Sequence, residues 1–190
     1  MKIDYNSMKA SSYRTPRLEI YPDRIRQNAA AIVEQCHKAG ISLACVTKVT
    51  SAHPAVAAAM VAAGADMLAD SRIENLWKLR QAGMTGPFML LRLPTMSRAA
   101  EVVEVVDISL NSSIDTIKAL GLAAHATNRR HKVIIMVDVG DLREGVWPDK
   151  AAQLVIDASG VTGIEVIGMG CNLACYGGVI PSEENMKLLV

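Results

Sequence analysis

Apolar and polar positions along this chain fall into blocks whose period switches in a regular order. Short apolar runs rich in Val, Ile, Leu and Ala, at 41–48 and 132–139 for example, read as strands buried on both faces. Between such runs lie segments with helical spacing, entered at Pro or Ser and closed at Gly. The pattern predicts a short strand at Leu18–Tyr21, then a helix from Pro22 and Asp23 to about Lys38, closed by Gly40. A strand over Ile41–Lys48, a helix over Pro54–Ala63 and a strand over Asp66–Ala69 follow. Ser71 and Glu74 have the spacing of a capping box, which opens a helix to about Gln81. Pro87–Leu93 is the next strand, with a helix from about Ser97 and a strand at Asp107–Leu110. Ser112 and Asp115 repeat the capping spacing before a helix to about Thr127. The strands Lys132–Val139 and Ile164–Met169 flank a helix from Asp149 to Ala158, and another helix starts at Pro181.

Strands separated by helices in this way predict a parallel α/β fold. From the 41–48 strand onward there are six such units, and the sixth helix runs to the last residue. An open doubly wound sheet is complete with six strands, whereas an eight-stranded barrel takes about 250 residues. With 190 residues the chain would be an incomplete barrel. Periodicity admits both.

Candidate chemistry gathers where the strands end, the place where parallel α/β folds bind ligands. Lys48 closes the first long apolar run. A lysine whose stem is packed and whose amine lies in a partly dry cleft is held partly neutral, the requirement for a Schiff-base lysine. The plainer account is a lysine reaching solvent from a strand end. Arg92 ends another strand, just before Leu93 and Pro94. Arg143 lies in a loop between Gly140 and Gly145, where backbone can approach a ligand closely while the guanidinium reaches an anion. Gly168, Gly170, Gly177 and Gly178 near the last strand suit either a tight turn or an anion nest. His37, His53, His125 and His131 read as helix or loop surface residues, and no metal constellation emerges.

Composition narrows the classes. The chain is 51% hydrophobic but only 4% aromatic, so its core is aliphatic. Net charge is +1 with no basic block, which argues against a nucleic-acid partner. Charges interrupt every apolar run, so no membrane span is predicted. A polar N-terminus and four cysteines without redox or zinc spacing fit a cytoplasmic protein. GxGxxG, P-loop and GxSxG motifs are all missing, so those nucleotide and hydrolase routes have no support.

Several segments together resemble a known family. They are Pro16–Ile20, Asn28, Val46-Thr47-Lys48, Asp70-Ser71-Arg72, the stretch from Val137 to Gly145, and Gly170-Cys171-Asn172-Leu173. In this order and spacing they are similar to the alanine racemase superfamily, and within it to the ornithine-racemase-like amino-acid racemases. The resemblance spans about residues 15 to 190. It implies a (β/α) barrel binding pyridoxal phosphate, with Lys48 carrying the cofactor and serving as one of two catalytic bases. Arg143 matches an arginine near the cofactor phenolic oxygen and the substrate carboxylate. Arg92 is a second substrate-binding candidate, Asn172 a cofactor-binding one, and Asp138 a structural aspartate. The implied substrate is a small amino acid such as ornithine, and the implied assembly a homodimer.

This chain departs from alanine racemases at three matched positions. Ala52 replaces a phosphate-holding tyrosine, Met136 a carbamylated lysine, and Asn172 a histidine. Family members also continue into further barrel strands and a β domain that supplies a tyrosine to the partner's site. Residues 1–190 are therefore expected to be the N-terminal part of the barrel, without that β domain and inactive alone. Two other readings stand beside the racemase. One is a non-catalytic, single-domain carrier of pyridoxal phosphate, and the other a flavodoxin-like binding domain with an incidental lysine.

Overall fold

A computed structural model describes residues 18–173 and 178–189. Six parallel strands, β1 (Ala44–Val46), β2 (Met67–Asp70), β3 (Phe88–Leu90), β4 (Ile108–Asn111), β5 (His131–Met136) and β6 (Ile164–Gly170), form one sheet. Helix α1 (Pro22–Lys38) precedes β1, and α2 (Pro54–Ala62), α3 (Ile73–Gln81), α4 (Ala99–Val105), α5 (Ile114–Ala126) and α6 (Pro148–Ser159) connect successive strands. A short α7 (Glu183–Lys187) follows β6. Each strand pairs with its successor, in the order β1 to β6 without a switch. That order decides between the two architectures. A doubly wound sheet reverses its strand order partway, whereas a barrel wall adds strands one after another. The wall is open between β1 and β6, as an incomplete barrel requires.

The core lies between the sheet and its helices. Phe88, Leu68, Val133 and Ile135 from the strands meet Leu76, Leu79, Ile117 and Leu120 from the helices, all essentially buried. Aliphatic β-branched side chains suit strands covered on both faces, which is why these runs lack alternation. No helix among the described residues is long and apolar enough to cross a membrane.

Several local expectations change. Leu18–Tyr21 is not a strand, because no described strand lies beside it to complete a ladder, and Leu18 is 81% exposed. The first strand stops at Val46, so Lys48 opens a 3-10 turn rather than ending the strand. β3 stops at Leu90, two residues short of Arg92. Neither serine capping box forms, and Arg72 and Ser113 are the N-cap residues, without side-chain caps. Gly168 and Gly170 lie inside β6 rather than in a turn, and the register slips there, with Val133 opposite Val166 but Ile134 opposite Gly168. The extra residue, Ile167, makes a bulge, a common reason for glycine inside a strand. Gly177 lies outside the described residues. His131, read as a surface residue, is 2% exposed, because β5 begins there and turns the ring beneath the helices.

Candidate functional site

The carboxyl end of the wall is assembled in two halves. In the first, the chain leaves β1 through Thr47, which is fully buried. Its hydroxyl donates to Oδ2 of Asp70 at 2.8 Å, and its carbonyl accepts from the amides of Thr50 and Ala52. Asp70 is the last residue of β2 and is also fully buried. Its Oδ1 accepts from Arg72 N–H at 2.9 Å and Asn75 Nδ2 at 3.0 Å. Asp70 therefore braces the turn into α3 through the Arg72 amide and the Asn75 side chain, while the first amides of α3 take no side-chain cap. A carboxylate also suits the positive end of a helix. Ser51 and Ala52, just after the turn, take left-handed φ values of 50° and 51°. Non-glycine residues are held there only by well-determined surroundings. Lys78 Nζ supplies part of that hold by donating to the Ser51 carbonyl. Lys48 itself is exposed at the top of this frame.

In the second half, the chain leaves β5 through Val137 and Asp138. Oδ1 of Asp138 accepts from the amides of Gly140 at 2.9 Å and Leu142 at 3.1 Å, curling the loop back on itself. Val146 closes the loop by donating to Met136 O and accepting from Asp138 N–H. Gly145, at φ +117°, makes this closure possible, since a Cβ there would lie 2.5 Å from Asp138 N. The structural role expected for Asp138 is thus visible in its contacts. The closed loop presents Arg143, whose Nη2 donates to Glu144 Oε1 at 3.1 Å while Nε stands 3.7 Å from Asp141 Oδ2. Asn172, beyond β6, donates its Nδ2 to the same Glu144 Oε1 at 2.6 Å. Burial alone would raise the Glu144 pKa, but the hydrogen bonds from Arg143 and Asn172 and the charges of Arg143 and Arg92 outweigh it and hold it below the usual carboxylate value.

The two halves face each other across a cleft of about 650 Å³ that holds all four residues singled out in the sequence: Lys48, Arg92, Arg143 and Asn172. Met136 is part of its lining, in place of a polar group. Three cations around one cleft, one of them a primary amine, form a donor set that suits an anionic aldehyde such as pyridoxal phosphate. The residues present fit that group. Two acidic residues were missed as site builders. Glu144 lies within the recognised loop segment, beside Arg143, and its position there was the available signal. Asp70 was quoted within the Asp70-Ser71-Arg72 segment of the resemblance, but with no role assigned to it.

The fold and this cleft define a class, the parallel (β/α) barrel with a lysine and arginines at the carboxyl ends of its strands. The family model "Alanine racemase, N-terminal domain" matches residues 20–189, and the chain belongs to that family. It is 41% identical over 175 residues to a lysine racemase of Thermotoga maritima, covering 92% of this chain and 49% of that protein. It is 40% identical over 175 residues to an ornithine racemase of Acetoanaerobium sticklandii, with the same coverage of 92% and 49%. Among solved structures, alanine racemase from Streptomyces lavendulae superposes with a TM-score of 0.73 at 25% identity, over 88% of this chain and 44% of that one. The chain thus spans about half the length of the curated relatives it matches.

Proposed function

We propose that this protein is a pyridoxal-phosphate-dependent racemase acting on a basic amino acid, ornithine or lysine. The observation that carries the reading is the gathering of Lys48, Arg92, Arg143 and Asn172 on one cleft at the carboxyl ends of the strands. Family membership and the two similar racemases support it. When bound, the cofactor supplies a conjugated electron sink that makes the substrate α-proton removable. Lys48 Nζ would hold the cofactor covalently until the substrate α-amine displaces it, and the freed amine would then move the proton at Cα on one face. Arg143 and Arg92 bind the substrate carboxylate and fix its orientation. Asn172 holds the cofactor side of the cleft and, through Glu144, the Arg143 loop. Racemisation takes a base on each face of Cα, and Lys48 serves one of them. In this reading residues 1–190 are the first part of the barrel, and the natural protein is a cytoplasmic homodimer. Free Cys36, Cys45 and Cys171 support the cytoplasm.

The test is an absorbance spectrum with added pyridoxal phosphate, then borohydride reduction and peptide mapping. A reduced adduct on Lys48, together with interconversion of L- and D-ornithine by the natural-length protein, is the expected result. An adduct without interconversion would support the carrier reading. No adduct on the natural-length protein would end both.

A further inference from the structure

Glu144 stands apart from the other charged groups of the cleft. Lys48, Arg92 and Arg143 are cations, and Glu144 is the one carboxylate among the described lining residues. Its side chain is only 14% exposed, yet it reaches the cleft surface. Both of its hydrogen bonds fall on one oxygen, since Oε1 accepts from Arg143 Nη2 at 3.1 Å and from Asn172 Nδ2 at 2.6 Å. Oε2 accepts none among the described residues. Among the described residues two donors fix the carboxylate at Oε1, so that Oε2 is the oxygen left to accept from a ligand.

A monoamino acid has no use for such an oxygen. Its carboxylate is drawn to the arginines, and its α-amine is the group that reacts. A diamino acid brings a second ammonium, which in a partly dry cleft needs a charged acceptor. We infer that Glu144 Oε2 accepts a hydrogen bond from the side-chain ammonium of a diamino-acid substrate and is the residue that selects it over an uncharged amino acid of the same chain length. This rests on the racemase reading. Arg143, the residue before it, draws the α-carboxylate, so one closed loop reads both ends of the substrate. The same two donors, with the charge of Arg92, keep the carboxylate ionised against the effect of its burial.

The experiment uses the natural-length protein loaded with pyridoxal phosphate, with and without Glu144→Gln. Dissociation constants for L-ornithine and for L-norvaline, which lacks only the terminal amine, are read from the cofactor absorbance. Glutamine keeps an acceptor for Arg143 and Asn172, so an unchanged melting temperature checks that the loop survives. The expected result is an ornithine-over-norvaline preference that falls about tenfold to a hundredfold in Glu144→Gln, while norvaline binding changes little. Glu144→Asp, which keeps the charge but withdraws it, is expected to shift preference from ornithine toward the longer lysine. An unchanged ornithine-over-norvaline ratio in Glu144→Gln overturns the inference, as does equal weakening of both ligands, which would mark Glu144 as a support for Arg143 only. If the wild-type protein forms no adduct on Lys48, the racemase reading falls and takes this inference with it. An adduct with an unchanged ratio removes the inference alone.

Discussion

At the amino ends of the strands charged groups close on partners, whereas at the carboxyl ends Lys48, Arg92 and the Arg143–Glu144 pair line a cleft. At the amino ends, Asp66 accepts from His37 Nε2 at 2.9 Å and from Leu43 N–H at 2.7 Å. Arg80 binds Asp107 at 2.7 Å and the carbonyls of Val105 and Gly86, and its guanidinium lies 4.0 Å from the centre of the Phe88 ring. His131 Nε2 and Ser109 Oγ are 2.8 Å apart beneath the helices. At the carboxyl ends buried Thr47, Asp70 and Asp138 serve to hold loops, and Lys48, Arg92 and Arg143 are left exposed. One rim of the wall spends its polar groups on stability and the other holds them ready for a ligand. A (β/α) barrel allows this division because loops at one rim can vary without disturbing the packed layer below.

Substitutions separate the two rims. On the proposed racemase reading, Lys48→Ala in the natural-length protein is expected to abolish the cofactor adduct and racemisation while shifting stability by less than about 0.5 kcal/mol, since an exposed side chain carries little of the fold. Cofactor titration and chemical denaturation of the same variant check both halves of that statement. Gly145→Ala meets the Asp138 backbone and a strained φ together, so it should cost about 3 kcal/mol and weaken cofactor binding by displacing Arg143. An amino-rim change of the same size should leave cofactor affinity of the folded protein unaltered.

Acid acts on the amino rim. Burial pushes the His131 pKa from 6.5 down to about 4, against smaller opposing effects of Asp107 and the Val106 carbonyl. A folded pKa below the unfolded one means that the unfolded chain binds the extra proton first. Stability is therefore full above 6.5 and falls as pH drops toward about 4. About 2 kcal/mol should be lost by pH 5, and denaturant midpoints across this window for wild type and His131→Gln should show the slope only in the former. Arg80→Ala comes last, at about 1.5 kcal/mol, because its ion pair with Asp107 is partly exposed and the rest is carbonyl and ring contact. Its adduct on Lys48 should match wild type.

Much of the fold could be read from the chain. The helices α1, α2, α5 and α6 lie within a residue or two of their expected bounds, because proline, glycine and apolar spacing are local signals. Strand ends were less legible. The apolar runs around β1, β3 and β5 extend past the strands, and after β5 Val137 and Val139 stay buried within the loop that Val146 closes. The expected capping boxes at Ser71 and Ser112 failed for a related reason. Spacing says which oxygens could cap a helix, but the strand before it decides which one arrives, and at α3 Asp70 turns the chain through the Arg72 amide while the helix itself takes no side-chain cap.

By itself the sequence determined an alternating parallel α/β chain, its aliphatic core and a short set of cations and amides at strand ends, because each of these follows from local period and residue chemistry. Only the tertiary structure decided that the strands run in simple order as a barrel wall and that residues 48, 92, 143 and 172 share one cleft. It also decided that His131 is buried and that Glu144 joins Arg143 to Asn172. Those facts depend on which strands become neighbours, and that is settled by packing between segments far apart in the chain, where no local pattern reaches.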